Sequence, residues 1–244
     1  MTGWLASITD IGEARQALAA GADIIDAKNP HAGALGALPL DTVHAIVDAV
    51  GGRTPVSATI GDFPAMAPQA VFHAVSMMAI SGVDFVKIGL FPAPALHDCL
   101  AALAPLCSRY RLVAVLFADR HPDLGLLGRL AGYGFAGVML DTLDKSAGGL
   151  LRHQPVAQLE RFVAQARELN LISGLAGSLR AEDIPVLAPL DPDYLGFRGA
   201  LCHGHARTRT LDAGAMLAIS QALGKARRTP EQKTLWTQPV DQCE

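Results

Sequence analysis

The chain has 244 residues, half of them hydrophobic, and a formal net charge of −3. That length suits one large α/β domain rather than two small ones, with ample apolar material for a core. The near-even charge balance gives no reason to expect a nucleic-acid or anionic-membrane partner, so any cations that matter must act locally.

From Trp4 onward, short apolar runs alternate with longer amphipathic segments, the pattern of βαβ units around a parallel sheet. Strands are predicted at Trp4–Ser7, Ile24–Ala27, Val56–Ile60, Phe85–Ile88, Leu112–Phe117, Gly137–Leu140, Leu171–Ala176 and Tyr194–Phe197. Helices are predicted between and after them, at Ile11–Ala20, Asp41–Val50, Pro68–Ser81, Pro94–Cys107, Pro122–Tyr133, Val156–Leu169, Ala181–Ala188 and Asp212–Leu223. Asp41 and Asp212 are placed as N-caps, and Gly21, Gly51, Gly82 and Gly134 as glycines that end helices. The tetrapeptides Ala-Gly-Ala-Asp, Ser-Gly-Val-Asp and Tyr-Gly-Phe-Ala before strands two, four and six mark one recurring junction.

Eight such units predict a single (β/α)8 TIM barrel over residues 1–224, with its active site at the C-terminal ends of the strands. An open doubly wound sheet is the alternative. It is disfavoured because neither G-x-G-x-x-G nor a Walker A loop follows the first strand. Residues 225–244 are polar apart from Trp236 and are expected to form an irregular extension, unless Trp236 docks on a neighbour.

Cys99, Cys107, Cys202 and Cys243 form no C-x-x-C pair, and the N-terminus lacks the basic start and apolar stretch of a signal peptide. No apolar segment is long enough to span a bilayer, so a cytoplasmic setting is expected.

The chemistry is expected where charges sit at strand ends. Asp26-Ala27-Lys28 closes the second strand, and residues two apart on a strand face the same way, so both heads enter one space. Lys87 closes the fourth strand, and Asp141 ends the sixth with Lys145 in its loop. Any one of these lysines taken alone reads first as a surface residue at a strand end. Three at corresponding places in repeated units point to convergence, since even-numbered strands share layers in a barrel. Convergent Lys and Asp suit carbonyl chemistry through a Schiff base, with neighbouring cations and burial lowering a lysine pKa.

Gly177 and Ser178 after strand seven, with Arg198 and Gly199 after strand eight, form a candidate phosphate site, because glycine lets backbone N–H groups approach an anion. The competing reading makes Ser178 an ordinary helix cap. Residues 29–36 read as a flexible loop that covers a substrate or approaches a second phosphate, or as a plain connector. Cys202-His203-Gly204-His205 lacks a fourth ligand, so no metal is expected there. His73, His97, His121 and His153 are placed on the surface.

Together, Asp26-Ala27-Lys28-Asn29-Pro30 with Gly33, Leu35 and Gly36, then Val86-Lys87-Ile88-Gly89, Leu140-Asp141-Thr142 with Lys145, and Gly174-Leu175-Ala176-Gly177-Ser178 resemble the (5-formylfuran-3-yl)methyl phosphate synthase family, over roughly residues 3–222. The resemblance implies a lyase that condenses two glyceraldehyde 3-phosphates into a furan aldehyde carrying one phosphate, for a methanofuran-type one-carbon cofactor. It implies Lys28 as the Schiff-base lysine, Lys87 as the proton acceptor, and Asp26, Asp141 and Lys145 as assistants. It also implies no cofactor, a phosphorylated aldehyde as the binding partner, and a homo-oligomer. The rival readings are a phosphate-sugar isomerase or decarboxylase and a catalytically silent barrel. The D-x-K-x-x-D array of the decarboxylases would need Asp where His31 stands.

Overall fold

The computed structural model describes residues 2–224. Eight parallel strands close into a barrel in chain order: β1 Gly3–Ile8, β2 Ile24–Ala27, β3 Val56–Thr59, β4 Phe85–Leu90, β5 Leu112–Phe117, β6 Gly137–Asp141, β7 Ile172–Leu175 and β8 Tyr194–Phe197. Closure is made by β8 pairing with β1, Gly196 against Leu5 and Phe197 against Ala6. Nearly every strand residue is buried, because the barrel interior takes one face and the helices the other. The strands therefore read as continuous apolar runs rather than alternating ones.

The helices are α1 Ile11–Ala19, α2 Leu40–Val50, α3 Pro68–Ala79, α4 Leu96–Cys107, α5 Leu126–Gly132, α6 Leu150–His153, α7 Val156–Glu168, α8 Ile184–Leu187 and α9 Ala213–Ala222. Asp212 caps α9 by accepting from the Ala215 N–H. Asp41 does not cap α2: that helix starts one residue earlier, and Pro39 stands at the cap, which leaves Asp41 inside the first turn. The sequence reading overlooked Asp10, whose side chain accepts from the Glu13 N–H at the start of α1. The single helix expected over Ala181–Ala188 is a 3-10 turn, a short α8 and a second 3-10 turn, since Pro185 and Pro189 interrupt the ladder. Of the four histidines expected at the surface, His153 is half-buried.

The recurring junction has a physical role at the rim away from the site. Gly21 and Gly82 turn the chain at φ +85° and +83°, and the following Asp accepts an N–H from the first or second residue of the preceding strand. Asp23 accepts from Trp4 and Asp84 from Val56, at 2.8 and 2.7 Å, and Asp193 does the same for Ser173 at 2.8 Å. Each carboxylate satisfies a buried donor the parallel ladder leaves open. Residues 225–244, expected to be an irregular extension, lie outside the described residues. Among the described residues, no helix is long and apolar enough to cross a membrane.

Candidate active site

Asp26 sits inside the barrel with no exposed surface. Its register partners on β1 and β3 are both serines, and both donate to it: Ser7 Oγ at 2.8 Å and Ser57 Oγ at 2.7 Å. Lys87, two strands away on β4, reaches across β3 to place Nζ 2.9 Å from Asp26 Oδ1. The result is a buried ion pair with two further hydrogen bonds on the carboxylate, which is what allows a charge to remain in an apolar barrel.

Lys28 follows β2 and still donates its backbone N–H to Ile8, so the strand period carries its side chain to the same interior as Asp26. Its Nζ lies 3.4 Å from Asp141 Oδ2 at the end of β6. Asp141 also accepts from Lys145 Nζ at 2.5 Å and from the Thr142 N–H at 2.8 Å. Lys145 donates to the Thr142 carbonyl as well. The five expected residues thus form two adjoining pairs, Lys87–Asp26 and Lys28–Asp141, with Lys145 on the outer side.

Burial would raise both aspartates, but the surrounding lysines outweigh it. Lys87 and then Lys28, with the Ser57 hydroxyl, hold Asp26 below the ordinary carboxylate value. Lys145 and Lys28 hold Asp141 well below it. Lys28 responds in the opposite way: burial pulls it down from 10.5 to about 8, Asp141 resists, and Lys145 and Lys87 add to the fall. An amine neutral at a useful fraction near neutral pH, beside fixed carboxylates, is equipped to attack a carbonyl.

At the mouth, the N–H groups of Gly177, Ser178, Gly199 and Ala200 have no acceptor among the described residues. Gly177 (φ +111°) takes a conformation that disfavours a side chain, and a Cβ there would stand 2.9 Å from Thr142 Cγ2. Ser178, at φ +50°, is not a helix cap: Arg180 and Asp183 cap the turn that follows. Its free N–H therefore goes with the phosphate reading.

Arg198 departs from the expectation. Its guanidinium pairs with Glu13 of α1 through both Nη atoms and also donates to the carbonyls of Ser7, Arg207 and Arg209. Its donors are committed to protein acceptors, so it shapes the loop after β8 instead of presenting a free cation to a phosphate. The β2 loop also differs from a flexible connector. Asp62 accepts from Ala34 and Leu35 N–H, Asn29 N–H donates to Gly36, and Leu35 is fully buried against Gly89, which leaves no room for a Cβ.

Sequence reasoning missed Ser7, Ser57, Glu13 and Asp119. Asp119, after β5, accepts from Leu143 and Asp144 N–H at 2.7 and 2.9 Å and so positions the loop carrying Lys145. The hydroxyls on β1 and β3 were legible only as small residues in strands. His203 pairs with Asp212, and Cys202 Sγ donates to the Arg198 carbonyl. Among the described residues, no three His, Cys, Asp or Glu side chains are grouped to hold a metal. His31 is exposed, with its N–H on Asn29 Oδ1.

The profile of a family described as 4-HFC-P synthase matches residues 4–220. The chain is 35% identical over 199 residues to the (5-formylfuran-3-yl)methyl phosphate synthase of Methanosarcina barkeri, covering 75% of this chain and 83% of that one. It is 35% identical over 217 residues to the synthase of the same name from Methanocaldococcus jannaschii, covering 83% and 91%. A Methylorubrum extorquens protein that carries the same name in provisional form is 47% identical over 219 residues, 90% of each chain. Phosphoribosyl anthranilate isomerase from Thermus thermophilus has the same fold, with TM-score 0.65 at 17% identity over 93% of this chain and all of that one.

Proposed function

The chain belongs to the 4-HFC-P synthase family, and from that membership we propose that it condenses two glyceraldehyde 3-phosphates to (5-formylfuran-3-yl)methyl phosphate through a Schiff base on Lys28. Orthophosphate and water are released, and the product serves biosynthesis of a methanofuran-type one-carbon cofactor. The observation that carries this reading is Lys28 itself, held near pKa 8 and 3.4 Å from Asp141.

The proposed chemistry uses one proton repeatedly. Lys28 attacks the aldehyde carbon; Lys87 donates a proton as water leaves and becomes an amine. That amine then takes the proton from the carbon beside the iminium. The enamine so formed expels phosphate from its β-carbon or attacks the second aldehyde, and aromatisation drives the dehydrations. Asp26 returns Lys87 to one position throughout, because Ser7 and Ser57 fix its carboxylate. Asp141 stabilises the iminium, and Lys145 keeps Asp141 oriented. The N–H groups of Gly177, Ser178, Gly199 and Ala200 hold the phosphate that the product retains.

The test is incubation with glyceraldehyde 3-phosphate, reading furan absorbance and released phosphate, together with borohydride trapping. Lys28→Arg keeps a cation but cannot form an imine, so turnover and the trapped mass should both vanish in a folded protein. Lys87→Ala should still trap the substrate while furan formation falls roughly 10²- to 10⁴-fold, the size of a lost acid–base group. A trapped adduct in Lys28→Arg and none in Lys87→Ala would exchange the two roles.

A further inference from the structure

We propose that Arg207 forms a second phosphate subsite, separate from the backbone N–H groups after β7 and β8, on the side of the mouth where the β2 loop closes over Lys28. This deepens the reading above, since that reaction brings two phosphate groups into one barrel and releases one of them.

The side chain of Arg207 spans two loops. Its backbone lies against Gly199, where an added Cβ would come within 3.9 Å of the Arg207 Cβ and N. Its Nη2 donates to the Gly33 carbonyl at 2.9 Å. The guanidinium therefore crosses from the loop bearing Gly199 to the loop that follows Lys28. Its base is fixed, because the Arg207 carbonyl accepts from Arg198 Nε at 2.8 Å and Arg198 is locked to Glu13.

What this half-buried cation lacks is an anion. Among the described residues, no carboxylate lies within ion-pair distance of it, and its side chain donates to the Gly33 carbonyl alone. The carboxylates that act on it are spoken for: Asp141 by Lys28 and Lys145, and Asp62 by the N–H groups of Ala34 and Leu35. Burial pulls its pKa below the ordinary value, with Asp141 opposing and Arg198 adding to the fall. A planar fork with most of its donors unused matches a phosphate group, whose oxygens accept two parallel N–H bonds. An exposed arginine would have water for those donors and need no such partner. Arg207 is half-buried and near enough to the charged cluster for Asp141 to act on it.

The phosphate group could be that of the second aldehyde or the orthophosphate set free, and the two are separable. The full chain and the variants Arg207→Gln and Arg207→Lys are titrated calorimetrically with inorganic phosphate and, separately, with glycerol 3-phosphate, which carries the ester but no carbonyl. The wild type should take two equivalents of at least one of these. Arg207→Gln should take one, and Arg207→Lys should weaken the second site roughly tenfold, about one charge-assisted bond. Loss confined to inorganic phosphate assigns the site to the leaving group, and loss confined to the ester assigns it to the incoming substrate. A wild type that takes only one equivalent of each, a Gln variant that keeps both, or one that loses both overturns the proposal. The titration needs no turnover, so a wild type that makes no furan would sink the assigned reaction while leaving the phosphate count intact.

Discussion

Burial pulls the Lys28 pKa down to about 8, and four charged neighbours, Asp141, Lys145, Lys87 and Asp26, tune it in known directions, so its titration is a direct report on the cluster. Only the neutral amine attacks an aldehyde, so the rate of borohydride-trapped adduct formation should rise with pH and level off above about 8. Asp141 favours the ammonium. Asp141→Asn should therefore move that profile to lower pH. Lys145 opposes the ammonium and also occupies Asp141, so Lys145→Met should move the profile to higher pH on both counts. Opposite shifts are the expected result. A profile indifferent to both variants would mean that these neighbours do not set the Lys28 charge. Carboxylate and lysine variants that merely loosened the fold would give no such pair of signs.

At the scale of elements, the cluster depends on loops held by side chains from neighbouring units. The stretch after β6 that carries Lys145 is fastened by Asp119 from the loop after β5, whose carboxylate is lowered, against its desolvation, by the Asp144 and Leu143 N–H groups it accepts. Asp119→Ala leaves both donors without that partner and, since the Asp144 N–H is exposed to water, should cost about 0.5–1.5 kcal/mol of stability, read by denaturant unfolding. It should also shift the trapping profile in the same direction as Lys145→Met, but less far, because Lys145 keeps its charge and loses only its fixed position. An unchanged profile in Asp119→Ala would show that Asp141 and Thr142 hold Lys145 without help from Asp119. The β2 loop is organised in the same manner by Asp62 from the loop after β3. In both cases a carboxylate from one βα unit orders the loop of an adjacent unit, and so neighbouring units share responsibility for the mouth.

Across the whole molecule, the pair Glu13–Arg198 joins the first unit to the last, 185 residues apart, on the side of the barrel where β8 meets β1. Both side chains are largely buried, at 6% and 11% exposure, so breaking the pair leaves an uncompensated charge. Glu13→Gln is expected to cost about 3–5 kcal/mol. At this chain length that lowers the melting temperature by roughly 6–20 °C, at about 2–4 °C per kcal/mol. Replacing both residues, Glu13→Gln with Arg198→Met, should cost less than the two single changes added, since neither buried charge is then left alone. Strict additivity in that cycle would mean that the two side chains do not act as a pair.

The eight strands, and the positions of Asp26, Lys28 and Asp141 near the ends of β2 and β6, were legible in the sequence because they rest on local rules; Lys87, expected to close β4, instead stands third in a strand that runs on to Leu90. Apolar runs form buried strands, residues two apart share a face, and glycine ends a helix. The glycines at 177 and 199 were legible for the same reason, as places where backbone can approach an anion. Arg198 could not be read this way. Whether its guanidinium meets a ligand or Glu13 depends on barrel closure, and residues 13 and 198 become neighbours only when β8 pairs with β1. Arg207 likewise looked no different from Arg209 until the fold brought the loops after β2 and β8 together. The same holds for the lowered pKa of Lys28. Its spacing from Asp26 is a property of the chain, but its desolvation and the opposing pulls of Asp141, Lys145 and Lys87 exist only once β2, β4 and β6 have placed them in one interior. Local periodicity selects which groups face inward; long-range register and burial decide which charges meet, and therefore which of them can react.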